Sequence, residues 1–261
     1  MYKCNRLNMK SCYYVLSFVL CLISCSSCSI ESQKQVEIAN NVDSIDSKKQ
    51  TKINSIEIRC SNGLRMIYPH FTKIDLVCGK MPLKNDSSVI FVVAAAYTGR
   101  CLSEFNHSNI AGDHVSSGRR YRGYRCESNT GAFVFYKEKW KFLYRNYSSE
   151  LDSAQNYDGM AFAQELIIYN SEILQTVREN ESRNIFRALC ELSDTLCIIE
   201  SDTTTTFGEF KVSLKKANVT NAIYLDMGRG WNYAWYRDND SIIELHTKSH
   251  DYCTNWITFY K

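Results

Sequence analysis

The sequence lacks most of the signals that would assign it to a specialised class. Proline occurs only twice in 261 residues. With 44% apolar and 13% aromatic residues, that describes a chain with a substantial core, not a low-complexity one. Charge of one sign is scarce too. The formal net charge is +3, and Lys3, Arg6 and Lys10 supply part of the basic total, so nothing points to a nucleic-acid partner. There is no internal repeat, phosphate loop, dinucleotide fingerprint, serine-hydrolase elbow or His-Glu-x-x-His pattern. Beyond residue 30 no apolar run approaches the roughly 20 residues a membrane-crossing helix needs.

The first thirty residues carry the clearest signal. Three basic residues and no acidic one precede the apolar stretch Tyr13 to Ile23. A basic start, a short apolar core and small residues after it are the layout of a cleavable export signal. Leu22-Ile23-Ser24-Cys25 resembles the bacterial lipobox, in which the cysteine is lipidated and becomes the new N-terminus. The expected organisation is therefore a lipoprotein signal at 1–25, a polar, aromatic-free tether at 26–55 and one domain at 56–261. The corresponding location is the cell envelope, periplasmic or outer-membrane face, with the membrane as a partner through the anchor.

Past the tether, strand signals dominate. Ser55 to Cys60 alternates, Val89 to Ala96 is continuously apolar, and Ala132 to Tyr136 and Trp140 to Tyr144 flank a turn. Met160 to Tyr169 and Trp256 to Tyr260 read as further strands, and Ala222 to Asp226 as a short one. One helix is well marked: Thr206 caps it, and Phe207, Phe210, Leu214 and Ala217 recur at helical spacing. The expected fold is α+β, a mixed but mostly antiparallel sheet packed with a few helices. Ile185 to Leu192 and Thr195 to Glu200 read as a hairpin around Ser193-Asp194. A two-residue turn there sets Cys190 opposite Cys197, either as a disulfide or as two buried thiols packed side by side.

Candidate site residues cluster around Asp226. A carboxylate at the end of a buried strand, followed by Gly228, Arg229 and Gly230, offers a fixed acid beside backbone N–H groups that can receive an anionic oxygen. Arg187 lies among apolar neighbours, so its charge needs a partner: a phosphate oxygen held bidentately, or a salt bridge to Asp226 or Glu165. Glu165 and Asp226 suit a paired-carboxylate site. His114 precedes the basic run Arg119 to Arg125 and is a candidate proton carrier. That run either receives a phosphate, with Tyr121 or Tyr124 against a sugar, or is a solvated loop. Trp231, directly after Gly230, is the aromatic residue expected to meet a ligand. His246, His250 and Cys253 have ligand-like spacing in a loop and strand context, and no metal or other cofactor is expected from them.

These segments resemble the phosphodiester glycosidase family. Asn221 to Gly230 is similar to its Asn-Leu-Asp-Gly-Gly-Gly segment, Asn184 to Leu189 to its Arg-Thr-Ala strand start, and Thr203 to Phe207 to its threonine-rich loop. Gly159 to Glu165 resembles its glycine-rich turn segment, and Val92 to Gly99 sits where it has an Asn-Ala-Gly-Phe-Phe strand end. The resemblance spans roughly 89 to 237. It departs where the triple glycine becomes Met227-Gly228-Arg229-Gly230 and where the usual hydroxyl residues become Trp231-Asn232-Tyr233.

What the resemblance implies is hydrolysis of a sugar joined to phosphate in a phosphodiester, on an extracytoplasmic glycan. Asp226, Glu165 and His114 would do the chemistry. Arg187, Gly228, Arg229, Gly230, Trp231, Tyr97 and Gln164 would bind substrate. The other reading is a non-catalytic carbohydrate-binding envelope lipoprotein. The anchor has a direct check. Mass spectrometry of the mature protein is expected to find a lipid-modified Cys25 at its N-terminus, and a water-soluble chain with a free amine there rules the anchor out.

Overall fold

With so little glycine and proline to make turns, the chain bends at ordinary residues. The hairpin tips Lys137-Glu138 and Ser193-Asp194 both sit in the left-handed region, with φ of 51° and 58° and of 50° and 55°. Two successive left-handed residues make the tight turn whose twist matches paired strands. The computed structural model describes residues 55–99, 104–177, 181–228, 232–247 and 252–261. The export signal, Cys25 and all but the last residue of the tether lie outside them, as do Arg229, Gly230, Trp231 and His250.

Strands β1 (Ile56–Ser61), β2 (Leu64–Pro69), β3 (Lys73–Cys78) and β4 (Val89–Ala94) come first. The short β5 (His114–Ser116) and β6 (Arg119–Tyr121) follow. Next are the hairpin β7 (Gly131–Tyr136) and β8 (Lys139–Tyr144) and helix α1 (Ser148–Asn156). Strands β9 (Met160–Gln164), β10 (Leu166–Tyr169) and β11 (Glu172–Ile173) lead to β12 (Arg187–Leu192) and β13 (Thr195–Ser201). Helix α2 (Phe207–Lys216) and β14 (Asn221–Leu225) come next. The last are β15 (Ala234–Asp238), β16 (Ser241–Leu245) and β17 (Asn255–Tyr260).

They build three antiparallel sheets, in the orders β1-β2-β13-β12-β14-β10-β11, β16-β15-β4-β17-β3 and β6-β5-β9-β7-β8. The fold is thus α+β with far more strand than helix, as expected. Glu165 is the bend where one extended segment leaves the third sheet as β9 and joins the first as β10. All three sheets contribute to one buried cluster, including Leu76, Phe91, Phe133, Phe162, Leu189 and Ile257. Side chains of this kind are each worth roughly 1.5–3 kcal/mol when fully buried. The outer face of the first sheet packs under α2 through Ala188, Ile199, Phe207, Phe210, Leu214 and Tyr224.

The expected register of the β12–β13 hairpin holds: Cys190 pairs with Cys197 and Leu192 with Thr195. Both cysteines are free thiols, so of the two outcomes left open the disulfide is not the one the structure has. Burial raises both thiol pKa values, that of Cys197 to about 12. Helix α1 carries no signal in the sequence reading, because only Leu151 and Ala154 of its nine residues are buried and no side chain caps its start.

Helix α2 starts as predicted. The Thr206 side chain accepts from the Glu209 N–H while the Glu209 carboxylate accepts from the Thr206 N–H, a reciprocal capping box. Thr206→Ala leaves the Glu209 N–H without its acceptor, so urea unfolding is expected to show a loss of about 1 kcal/mol. An unchanged midpoint would mean the cap is dispensable.

Candidate functional site

Strand ends from two sheets meet at one end of the molecule. Residues 200–201 of β13 and 225–226 at the end of β14 come from the first sheet, and the close of β4 and start of β17 from the second. The connection is made by backbone: the Asp226 N–H donates to the Ala95 carbonyl at 3.0 Å. Asn255, 1% exposed, holds the next residue on both sides. Its amide Nδ2 donates to the Ala96 carbonyl at 3.0 Å and its Oδ1 accepts from the Ala96 N–H at 2.8 Å. A side chain used this way fixes a strand end as a ladder would. Sequence reading missed Asn255, since a lone asparagine before a strand reads as a turn residue.

Asp226 is buried here, and its carboxylate Oδ1 accepts the Gly228 N–H at 3.0 Å. This corrects one expectation: that N–H is already used by the aspartate and is not presented to an anion. The Asp226 charge reaches two neighbours. Burial first, then Cys126 and Asp226, raise the Tyr124 phenol to about 12. Burial and Asp226 likewise push the Cys253 thiol well up, while Arg187 pulls it down. Asp226 and Arg187 are therefore within electrostatic reach of the same thiol. Tyr97 is at this end too, with its ring 5.9 Å from that of Tyr224.

Arg187 is not open to a phosphate. It is 1% exposed, and its Nε and Nη2 both donate to Glu200 Oε2, at 2.9 and 2.6 Å. Its Nη1 donates to the Asn232 carbonyl at 3.1 Å. The planar fork that would grip a phosphate is occupied by a carboxylate. That counter-ion, Glu200, was not among the partners considered from sequence. It also meets His246 Nε2 at 2.9 Å and faces Arg65 at 3.8 Å. Burial alone would raise the Glu200 pKa, but Arg187 and His246 outweigh it and hold the carboxyl at about 2.

The other predicted residues sit on other elements, Glu165 beside β14, where its carbonyl accepts the Tyr224 N–H at 2.9 Å two residues before Asp226. Glu165 is fully buried at the β9–β10 bend, where Oε1 accepts the Val177 N–H at 2.8 Å. Gln164, equally buried, turns its Oε1 back to the Glu165 N–H. These positions give both a structural task that sequence spacing does not reveal. His114 is fully buried and lies with His107, Nε2 to Nδ1 at 2.9 Å, and its Nδ1 is 3.2 Å from the Gly112 carbonyl. Burial lowers its pKa to about 4. Arg229, Gly230 and Trp231 fall outside the described residues.

The basic run, by contrast, lines a cleft of about 580 Å³ with Asp113, Arg120, Arg122, Tyr124, Arg125 and Asn129 on its wall. Arg120 is engaged by Asp113 and Asp152, whereas Arg122 and Arg125 are exposed. Asn129 has both amide atoms buried with no hydrogen-bond partner among the described residues. Such a volume suits a small polar ligand. Tyr124, on the cleft wall, is within electrostatic reach of Asp226.

The Glu200 cluster makes a checkable statement about pH. A carboxyl at about 2 when folded and near 4.5 when unfolded contributes stability that is complete above about pH 4.5 and is lost as pH falls through about 2. The contribution is on the order of 3 kcal/mol. Urea unfolding of Glu200→Gln is expected to lack this acid-dependent component. Equal pH slopes for the two proteins would remove Glu200 as its source.

No family model matches the chain, and no curated protein matches it. Among solved structures, it is similar to the zebrafish N-acetylglucosamine-1-phosphodiester alpha-N-acetylglucosaminidase catalytic domain, auto-inhibited by its pro-peptide. The two share 13% identity and a TM-score of 0.51, over 79% of this chain and 81% of that one. At that identity the likeness is one of fold.

Proposed function

We propose that this protein is a glycosidase that hydrolyses a sugar–phosphate linkage, with Asp226 as its working carboxylate and the cleft behind Tyr124 as the phosphate side. The observation that carries the reading is that Asp226 lies within electrostatic reach of Tyr124, on the cleft wall that also bears Arg122 and Arg125. The fold it shares with a phosphodiester glycosidase domain supports the same class.

The chemistry asks little of a second acid. Water adds to the anomeric carbon, the sugar carbon–oxygen bond breaks, and the electron pair leaves on a phosphate monoester. The second phosphate ionisation lies near 6, so this group departs as an anion without a strong proton donor. Arginines that neutralise the charge building on it lower the barrier instead. Asp226 orients the water and takes its proton, or stabilises the positive charge that develops on the sugar. Glu165, held inside at the β9–β10 bend, is not needed for this route.

The altered glycine turn favours a second reading, a binding protein for the same ligands. We place the protein on the envelope through Cys25, where phosphate-linked glycans are reachable.

Incubating the purified protein with a glycosyl methyl phosphodiester tests the reading. Release of reducing sugar is expected, with Asp226→Asn lowering the rate by about 10²–10⁴-fold, the usual worth of a positioned acid or base. Binding without turnover across a panel of sugars would decide for the binding protein. Turnover untouched by Asp226→Asn would rule out the proposed centre.

A further inference from the structure

Cys78, His107 and His114 bring one sulfur and two nitrogens within 4.8 Å of one another. They come from three elements: the end of β3, the single helical turn His107–Asn109 and the start of β5. The group stands apart from the Glu200 cluster. Strand β17 lies between β3 and β4, with Asn255 opposite Cys78 on one side and holding Ala96 on the other.

The two imidazoles do not meet as an ordinary pair. His114 Nδ1 lies 3.2 Å from the Gly112 carbonyl, which can only accept. Nδ1 therefore carries the proton, and Nε2 turns its lone pair toward His107 Nδ1, 2.9 Å away. A backbone carbonyl on the far nitrogen is the support that metal-bound histidines commonly have, because it fixes tautomer and ring orientation. The His107 ring is clamped as well, with Tyr121 stacked at 3.4 Å and 5° and Phe105 edge-on at 5.0 Å. Orientation is thus set by groups that are not themselves ligands.

We infer that Cys78, His107 and His114 bind a zinc ion. Zinc–nitrogen bonds of about 2.0–2.1 Å and zinc–sulfur bonds of about 2.3 Å place tetrahedral ligand atoms roughly 3.3–3.7 Å apart. The cluster reaches that spacing if the two nitrogens part by about half an ångström and the sulfur, within 4.8 Å of both, closes on the ion. One thiolate with two imidazoles is a donor set that zinc accepts, and three protein ligands leave the fourth position to water. Cys78 and His107 are only partly buried, so the ion has a way in. Bound there, zinc would tie β3 to the loop that carries His107 and to β5, bracing the segment that leads into the basic run. The sequence reading assigned no metal, since these ligands are far apart in the chain and match no compact motif.

The test uses the full chain, loaded with zinc alone and passed through a desalting column. About one zinc per chain is expected by elemental analysis. His107→Ala and Cys78→Ser should each weaken binding by about 100-fold or more, at or beyond the upper end of what losing even a supporting residue costs. A readout without any variant guards against misfolding: iodoacetamide labelling of the native protein, mapped by peptide mass spectrometry. Zinc is expected to protect Cys78 while the exposed Cys60 labels at its usual rate. Absence of retained zinc, or Cys78 labelling that zinc does not slow, overturns the proposal. This outcome is independent of whether a sugar phosphodiester is ever cleaved.

Discussion

A guanidinium and a carboxylate, both buried, fix the end of the molecule where the candidate chemistry sits. Arg187 and Glu200 face each other across β12 and β13. Taking both charges out of water is costly, and their attraction does little more than recover that cost. What the pair supplies is position. The third contact of Arg187 goes to the Asn232 carbonyl just before β15, and Glu200 also holds His246 just after β16. Two segments of the second sheet are thereby fastened to the first by groups that cannot drift without stranding a charge. The Asp226 and Asn255 backbone contacts then have a fixed frame on which to form.

Two kinds of polar chemistry lie near that frame, and Gly112 adjoins both: its N–H donates to the Tyr124 carbonyl at 2.8 Å and its carbonyl lies 3.2 Å from His114 Nδ1. On one side, Asp226, Tyr124 and exposed arginines suit an anionic leaving group. On the other, beyond β17, a thiol and two imidazoles suit a soft cation. A cation close to Asp226 would compete for the carboxylate that the proposed hydrolysis needs. Asn255, which carries no charge, faces Cys78 across β17 and β3, and its side chain bonds to the Ala96 backbone.

Much of the fold was legible because its signals are local. Continuous apolar runs marked β4 and the β9–β10 segment, and a capped, periodic stretch marked α2. Strands β15 and β16 were not seen, because most of their residues stay partly exposed and no clean alternation develops. For the site, Asp226 and the basic run were readable from residue type and neighbours. The counter-ion of Arg187 was within reach as well. The hairpin register that sets Cys190 against Cys197 also sets Arg187 against Glu200. The placing of His114 beside Cys78 was not readable, since it depends on how the third sheet packs against the second.

The hairpin tips carry a different kind of meaning. Asn, Asp, Ser, Lys and Glu hold left-handed positions that glycine would adopt without strain. Each such residue lies roughly 1–2 kcal/mol above its right-handed alternative, less for Asn and Asp. Lys137 and Glu138 are the plainest cases, because neither has a short polar side chain to bond locally. The molecule thus runs with slack at its edges, a margin that substitution at surface turns can convert into heat tolerance while both polar clusters stay as they are. Relieving those turns would offset destabilising changes at the working end.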